Sequence, residues 1–185
     1  MIDDLLKDAE QRMHKSVEST RGEFSSIRTG RATPALLDRV MVDYYGASTP
    51  LNQVATVSAP EARLLTVSPF DSSSLDDIER AIVAADLGVT PGNDGQLIRI
   101  SIPELTEERR KELVKQLRAI AEEGRIAVRN VRRDVMHDLK GLKESGDVGA
   151  DDEHRAEDAL QKLTDAQIGE LEESLSRKEA EILEV

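Results

Sequence analysis

The feature that most restricts the fold is a long helical repeat of apolar residues over residues 106–143. Weaker repeats predict helices over residues 2–28 and from about residue 152 to the end of the chain. Because an amphipathic helix must cover its apolar face, and each of these can do so against the other two, the sequence predicts a long antiparallel three-helix bundle. In the central helix the repeat consists of Leu113, Leu117, Ile120, Val128, Val131, Val135 and Leu142.

A segment with a different pattern, residues 31–104, lies between the first two helices. Alternating apolar and polar residues predict strands at residues 39–44, 51–57, 63–67 and 96–102. A helical repeat predicts a short helix that begins at Ser73 and stops at Gly88. The predicted fold class is therefore α+β: a small α+β domain, of the β/α/β sandwich type, is inserted into the helical bundle.

Two short connections join the predicted domains. Residues 1–29 and 106–185 are assigned to the bundle, and residues 31–104 to the inserted domain. The entry connection is Thr29, Gly30 and Arg31, and the exit connection is Pro103, Glu104 and Leu105. Two short connections, one with glycine and one with proline, are typical of a hinge. A rigid corner explains the same residues equally well.

The composition excludes several classes of protein. With no cysteine in its 185 residues, the chain forms no disulfide, thiolate metal site or cysteine nucleophile. No stretch approaches the roughly 20 apolar residues of a transmembrane helix, and the acidic first residues do not resemble a signal peptide. Aromatic residues are too scarce for sequence-specific base stacking. These features favour a soluble, helix-rich protein of the cytoplasm.

A basic edge on the central helix contrasts with the net charge of the chain, which is −12. Residues 106–133 carry nine basic and five acidic residues. Lys111 and four arginines lie within about 60° of one another on the helix, beside the apolar face. We call these four arginines and the adjacent Arg133 the arginine row: Arg118, Arg125, Arg129, Arg132 and Arg133.

A basic edge on an acidic protein indicates a polyanionic partner. The alternative is a solvated charged face whose arginines pair with neighbouring glutamates. Few acidic residues lie within the row itself, Glu122 being the main one, and this favours the polyanion.

The sequence offers no group of residues suited to catalysis. His14, His137 and His154 are far apart, and no glycine-rich phosphate loop is present. The serines at positions 72–74 have no nearby base and fit a helix cap, while the acidic residues 151–153 fit a helix N-terminus. We therefore expect a protein that acts by binding and is not an enzyme, with neither a metal nor another cofactor.

Several motifs, in order, span nearly the whole chain. They are SIRTGRA at residues 26–32, YYG at 44–46, DLG at 86–88, NDG at 93–95, LTEERR at 105–110, VRNVRR at 128–133, QKLTD at 161–165 and KEAE at 178–181. Each is weak alone, but their order and spacing resemble the ribosome recycling factor family.

The resemblance implies a three-helix bundle with a hinged α+β domain, in an L-shaped, tRNA-like outline. It implies binding to the post-termination ribosome and, with elongation factor G and GTP hydrolysis by that factor, dissociation of the subunits and release from mRNA. The bundle is then expected to bind large-subunit rRNA through Arg132, with Arg129 and Arg133 beside it, and through Arg28 and Arg31. We extend this expectation to Arg118 and Arg125, and expect a monomer.

Two residues depart from the family pattern. Glu104 stands where family members often have a second proline, which predicts a looser exit connection. Gly124 stands inside the central helix where alanine is usual, which predicts a cost of about 1 kcal/mol and a slight bend. The alternative function is a helical-hairpin chaperone or adaptor that binds proteins, which predicts exposed apolar surface at the tips of the bundle and no salt-sensitive binding of RNA.

Overall fold

The structure is a computed structural model that describes residues 1–184, and it divides this chain into two compact units. The bundle unit comprises Met1–Arg28 and Glu108–Leu183, and the small unit comprises Thr29–Glu107. The described helices are α1 (Ile2–Ser26), α2 (Leu51–Val54), α3 (Leu75–Ala84), α4 (Glu107–Glu144) and α5 (Ala150–Leu183). The described strands are β1 (Met41–Tyr44), β2 (Ala47–Pro50), β3 (Ala55–Glu61), β4 (Leu64–Pro69), β5 (Thr90–Asn93) and β6 (Ile98–Ser101).

The predicted α+β class is confirmed, with long packed helices in one unit and antiparallel sheets in the other. Among residues 1–184, none of the helices combines the length and the apolar character that crossing a membrane requires.

The three long helices form one bundle, and their cross-contacts give its directions. Between α1 and α4, Arg12 pairs with Asp134 and Thr20 lies against Gly124, so these two helices are antiparallel. Between α4 and α5, Arg118 pairs with Glu179 and Arg125 with Glu172, so these two are antiparallel as well. Thr164 of α5 lies against Met13 of α1, and farther along both helices Arg21 of α1 donates to Ser174 of α5. Helices α1 and α5 therefore run in the same direction. The bundle is therefore antiparallel at α1–α4 and α4–α5, and parallel at α1–α5.

The buried face of α4 differs in detail from the predicted one. Ile120 and Leu142, which we expected on this face, are only half-buried, because they lie at its edges. Small residues, Ala121 and Gly124, occupy part of the buried face instead, and they let the neighbouring helices approach closely. The buried residues are Leu113, Leu117, Ala121, Gly124, Val128, Val131, Val135 and Leu139.

Gly124 corrects one expectation. A Cβ built at this position would lie 2.5 Å from Oγ1 of Thr20 in α1 and 2.7 Å from Cδ1 of Leu171 in α5. The absence of a side chain therefore permits the close approach of three helices. The expected cost of Gly124 relative to alanine considers helix propensity alone and neglects this overlap.

Backbone geometry ends α4 and reverses the chain. Gly146 adopts a φ of +82°, in the region that favours glycine, and its N–H donates to the carbonyl oxygen of Lys143. The N–H of Asp147 donates to the carbonyl oxygen of Leu142. The side chains of Lys143 and Glu153 then form an ion pair between α4 and α5.

The small unit contains two antiparallel sheets. Strands β1 and β2 form a hairpin whose turn residues, Tyr45 and Gly46, both have positive φ. The second sheet has the order β3-β4-β6-β5, and every neighbouring pair is antiparallel. Its core includes Val40, Val42, Leu65, Ile78, Ile82 and Ile100.

Three details of the small unit differ from the sequence prediction. Residues 51–54 form a helical turn, and the strand begins only at Ala55. Strands β2 and β5 were not predicted, because each contains proline and β5 also contains glycine, and such residues are tolerated mainly at sheet edges. Helix α3 is shorter than expected at both ends: it ends at Ala84, and at its beginning Ser72–Ser74 form a separate 3-10 turn capped by Asp71.

Candidate nucleic-acid interface

The arginine row lies on one flank of α4, and two of its members reach α5. Its members follow the buried face of the helix, so α4 is fixed by its core while the guanidinium groups stand beside it. Arg118, Arg129 and Arg133 are exposed, whereas Arg125 and Arg132 are half-buried.

Two members of the row pair with acidic residues of α5. Nε of Arg118 donates to Oε1 of Glu179 at 2.7 Å, although the Arg118 side chain is 67% exposed. Nε of Arg125 donates to Oε1 of Glu172 at 2.5 Å, and that side chain is only 19% exposed. Hydrogen bonding to these carboxylates raises the pKa of both arginines, which are charged in any case.

These pairs show what the sequence analysis missed. Glu122 within the row does pair with Arg125, but two further carboxylates, Glu172 and Glu179, come from the neighbouring helix α5. The available signal was the charge of residues 144–185, which contain 14 acidic and four basic residues. The alternative interpretation, a charged face paired with glutamates, therefore describes Arg118 and Arg125.

The guanidinium groups of the remaining three members of the row make fewer contacts with other side chains. Arg129 lies 3.4 Å from Glu122, and Arg133 donates to the side-chain oxygen of Asn130 at 3.0 Å. Within residues 1–184, Arg132 makes no ion pair and no side-chain hydrogen bond. Residues three and four apart on a helix are neighbours, so these three guanidinium groups lie on one surface and can meet a polyanion together.

The other two expected contact residues belong to different units. Arg28 is the last residue of the first bundle segment, and Arg31 belongs to the small unit. Both side chains are exposed, and neither forms an ion pair within the part of the chain that the structure describes.

The two connecting segments lie against each other inside the small unit. Gly30 has a φ of +77°, and a Cβ at this position would lie 2.8 Å from Cγ of Leu105. Glu104 forms an ion pair with Arg63 at 3.6 Å, and Thr29 is buried. Gly30 thus meets two requirements, a positive φ and a close contact, that other residues satisfy poorly.

The positions of the acidic and imidazole side chains bear on whether the protein could hold a metal ion. Among residues 1–184, no three His, Cys, Asp or Glu side chains are grouped so that they could hold a metal ion. The three histidines are exposed, and His154 lies 3.8 Å from Asp158 on its own helix.

Known proteins match the chain along its length. The family model described as Ribosome recycling factor matches residues 20–183. A ribosome-recycling factor from Rubrobacter xylanophilus is 57% identical over 180 residues, which are 97% of each chain. The solution structure of a ribosome recycling factor superposes with a TM-score of 0.75 at 40% identity, and the match covers 100% of this chain and 98% of that one.

A further structure is that of the T. thermophilus ribosome recycling factor, described with E. coli elongation factor G bound to the E. coli post-termination complex. It has a TM-score of 0.65 and 45% identity, with 99% of both chains covered. The match of the family model and the close relatives over the full length lead to one assignment: the chain belongs to the ribosome recycling factor family.

Proposed function

We propose that this protein binds the post-termination ribosome and, together with elongation factor G, separates the ribosomal subunits and releases them from mRNA. Membership of the family supports the proposal, as does the relative described with elongation factor G on a post-termination complex. GTP hydrolysis is assigned to elongation factor G, and the protein itself is assigned no enzymatic activity. It acts in the cytoplasm as a monomer, since its target is the ribosome and each unit has its own core.

The proposed contact with large-subunit rRNA is made by the arginine row of α4, with Arg132 as its principal contact residue. The observation that carries this assignment is the state of Arg132, which is half-buried beside the core and has no ionic partner within residues 1–184. A guanidinium group offers a planar set of donors that suits phosphate and stays charged. A-form RNA exposes mainly its backbone and shape, so a fixed row of arginines matches it.

The other expected residues contribute in different ways. Arg129 and Arg133 extend the contact on either side of Arg132, and Arg28 and Arg31 add exposed charge near the connections. Arg118 and Arg125 are proposed to face the RNA while they remain paired with α5. Their charge is partly neutralised, so each contributes less to binding than Arg132.

The two connections are proposed to act as a hinge that lets the small unit rotate when elongation factor G pushes on it. Thr29, Gly30 and Arg31 form one side, and Pro103, Glu104 and Leu105 form the other. The close contact of Gly30 with Leu105 supports a common pivot, because the two segments pass each other at one point. Glu104, at the position where family members often have proline, forms an exposed ion pair with Arg63.

The decisive experiment compares Arg132→Ala with Arg177→Ala. Both variants remove one exposed or half-buried cation from the bundle, but Arg177 lies on α5 and pairs with Glu173 at 3.3 Å. In co-sedimentation with vacant ribosomes over a salt series, Arg132→Ala should bind more weakly. Its salt slope should fall by roughly 0.7–0.9, the value for one lost phosphate contact. Arg177→Ala should resemble the wild type. Folded Arg132→Ala with wild-type affinity and slope would disprove the assignment.

A further inference from the structure

Four charged side chains form a continuous chain from α5 to the exposed part of the arginine row. Glu172 of α5 accepts from Nε of Arg125 at 2.5 Å, and Nη1 of Arg125 donates to Oε2 of Glu122 at 2.7 Å. The other oxygen of Glu122, Oε1, accepts from Nη1 of Arg129 at 3.4 Å. Glu122 therefore bridges one arginine that is fixed to α5 and one that is exposed.

The two arginines differ in their freedom. Arg125 is 19% exposed and is held from two sides, whereas Arg129 is 53% exposed and its ionic contacts within residues 1–184 are all with Glu122. The hydrogen bond from Arg125 lowers the pKa of Glu122, so this carboxylate stays ionised at neutral pH. The fixed end of the chain can thus restrict Arg129 through Glu122.

We propose that Glu122 is a positioning residue for the RNA-binding surface: tied to α5 through Arg125, it holds the Arg129 guanidinium beside Arg132 and Arg133 for contact with phosphate. This inference rests on the proposed function, because it concerns the same surface and the same RNA. Arg125 is then part of the support, and Arg129 is one of the groups that touch RNA.

The proposal predicts that removing the charge of Glu122 changes the affinity for RNA in the direction opposite to that expected from charge alone. A carboxylate next to RNA phosphates repels them, so the simple loss of its charge should strengthen binding. A positioning carboxylate has the opposite effect, because its removal lets Arg129 sample other rotamers and binding must then order the side chain again. The direction of the change separates the two roles.

Glu123 provides a matched control. It is the next residue on α4, carries the same charge and is exposed, but it lies on the other flank, in the groove beside Arg12 and Lys15 of α1. No ion pair of Glu123 is found within residues 1–184. Glu123→Gln therefore measures the effect of one lost negative charge without a change in the arginine row.

The test measures the affinity of both variants for vacant ribosomes at one fixed salt concentration. We expect Glu122→Gln to bind about two- to fivefold more weakly than the wild type, the size expected for restricting one long side chain. Glu123→Gln should bind equally or more tightly. Binding of Glu122→Gln that equals or exceeds that of Glu123→Gln would overturn the proposal.

A second measurement needs no RNA and separates this inference from the proposed function. Side-chain Nε–Hε relaxation by NMR should show Arg129 becoming more mobile in Glu122→Gln and unchanged in Glu123→Gln. Unchanged mobility of Arg129 in Glu122→Gln would refute the positioning role. If the wild-type protein failed to bind ribosomes, the proposed function would fall, while the NMR comparison would still decide whether Glu122 orders Arg129.

Discussion

At the scale of single residues, Gly124 determines how closely three helices pack. Its missing side chain leaves room for Oγ1 of Thr20, which donates to the carbonyl oxygen of Ser16, and for a methyl group of Leu171. The sequence reveals a glycine in a helix and its propensity cost. It does not reveal that Thr20, more than 100 positions away, occupies the space of the absent Cβ.

We predict that Gly124→Ala destabilises the bundle by about 1–3 kcal/mol, because overpacking outweighs the helix propensity of alanine. Urea unfolding followed by circular dichroism would measure this change. Adding Thr20→Ala should recover part of the loss, since it removes the closest atoms. A more stable Gly124→Ala single variant would mean that α1 and α5 adjust without cost and that propensity decides.

At the scale of secondary-structure elements, charged side chains fix turns and helix pairs. In the turn between β5 and β6, Oδ1 of Asp94 accepts from the backbone N–H groups of Gln96 and Leu97, each at 2.9 Å. Oδ2 of Asp94 accepts from Arg99 at 2.5 Å. The backbone hydrogen bonds from Leu97 and Gln96, with the contribution of Arg99, lower the pKa of Asp94 below its ordinary value of 3.8.

A lowered pKa in the folded state means that ionised Asp94 stabilises this turn above the unfolded pKa. That contribution is lost as the pH falls through the folded pKa. We therefore predict that Asp94→Asn is less stable than the wild type near neutral pH, and that the difference shrinks as the pH falls below about 4. Urea titrations of both proteins at several pH values would show this convergence. A difference that is independent of pH would exclude the ionised carboxylate as its source.

The elements also show which patterns can be read from a sequence. The long helices were predicted to within a few residues because their apolar repeat extends over many turns. Strands β2 and β5 were missed, since four residues with proline give no alternation to detect. For the arginine row, periodicity located the residues but not the ties of Arg118 and Arg125 to α5. Those ties depend on the register between two helices, which no local pattern encodes.

At the scale of the whole molecule, the chain consists of two units, each with its own core. The bundle is assembled from two separate stretches of sequence, and only two short segments lead into and out of the small unit. Separate cores with few covalent connections favour relative motion of domains as the default behaviour. The proposed hinge can therefore be tested on the free protein.

Because the chain has no cysteine, cysteines introduced at chosen positions are the only ones that a thiol-reactive spin label can modify. With one label at Lys140 on α4 and one at Arg80 on α3, both exposed, we predict a broad distribution of distances by pulsed electron spin resonance. Labels at Lys140 and Arg177, both within the bundle, should give a narrow distribution. A narrow distribution for the first pair as well would argue against a hinge in the free protein.

The discontinuous bundle also has a consequence for the order of synthesis. Helix α1 is made first, but α5, with which it runs parallel, is made last. The small unit, Thr29–Glu107, is complete before either of the other long helices has been made. During translation α1 must therefore remain unpaired while the small unit folds. The arginine row gains its supports, Glu172 and Glu179, only when α5 emerges, so the proposed RNA-binding surface is finished after α1, the small unit and α4 have been made.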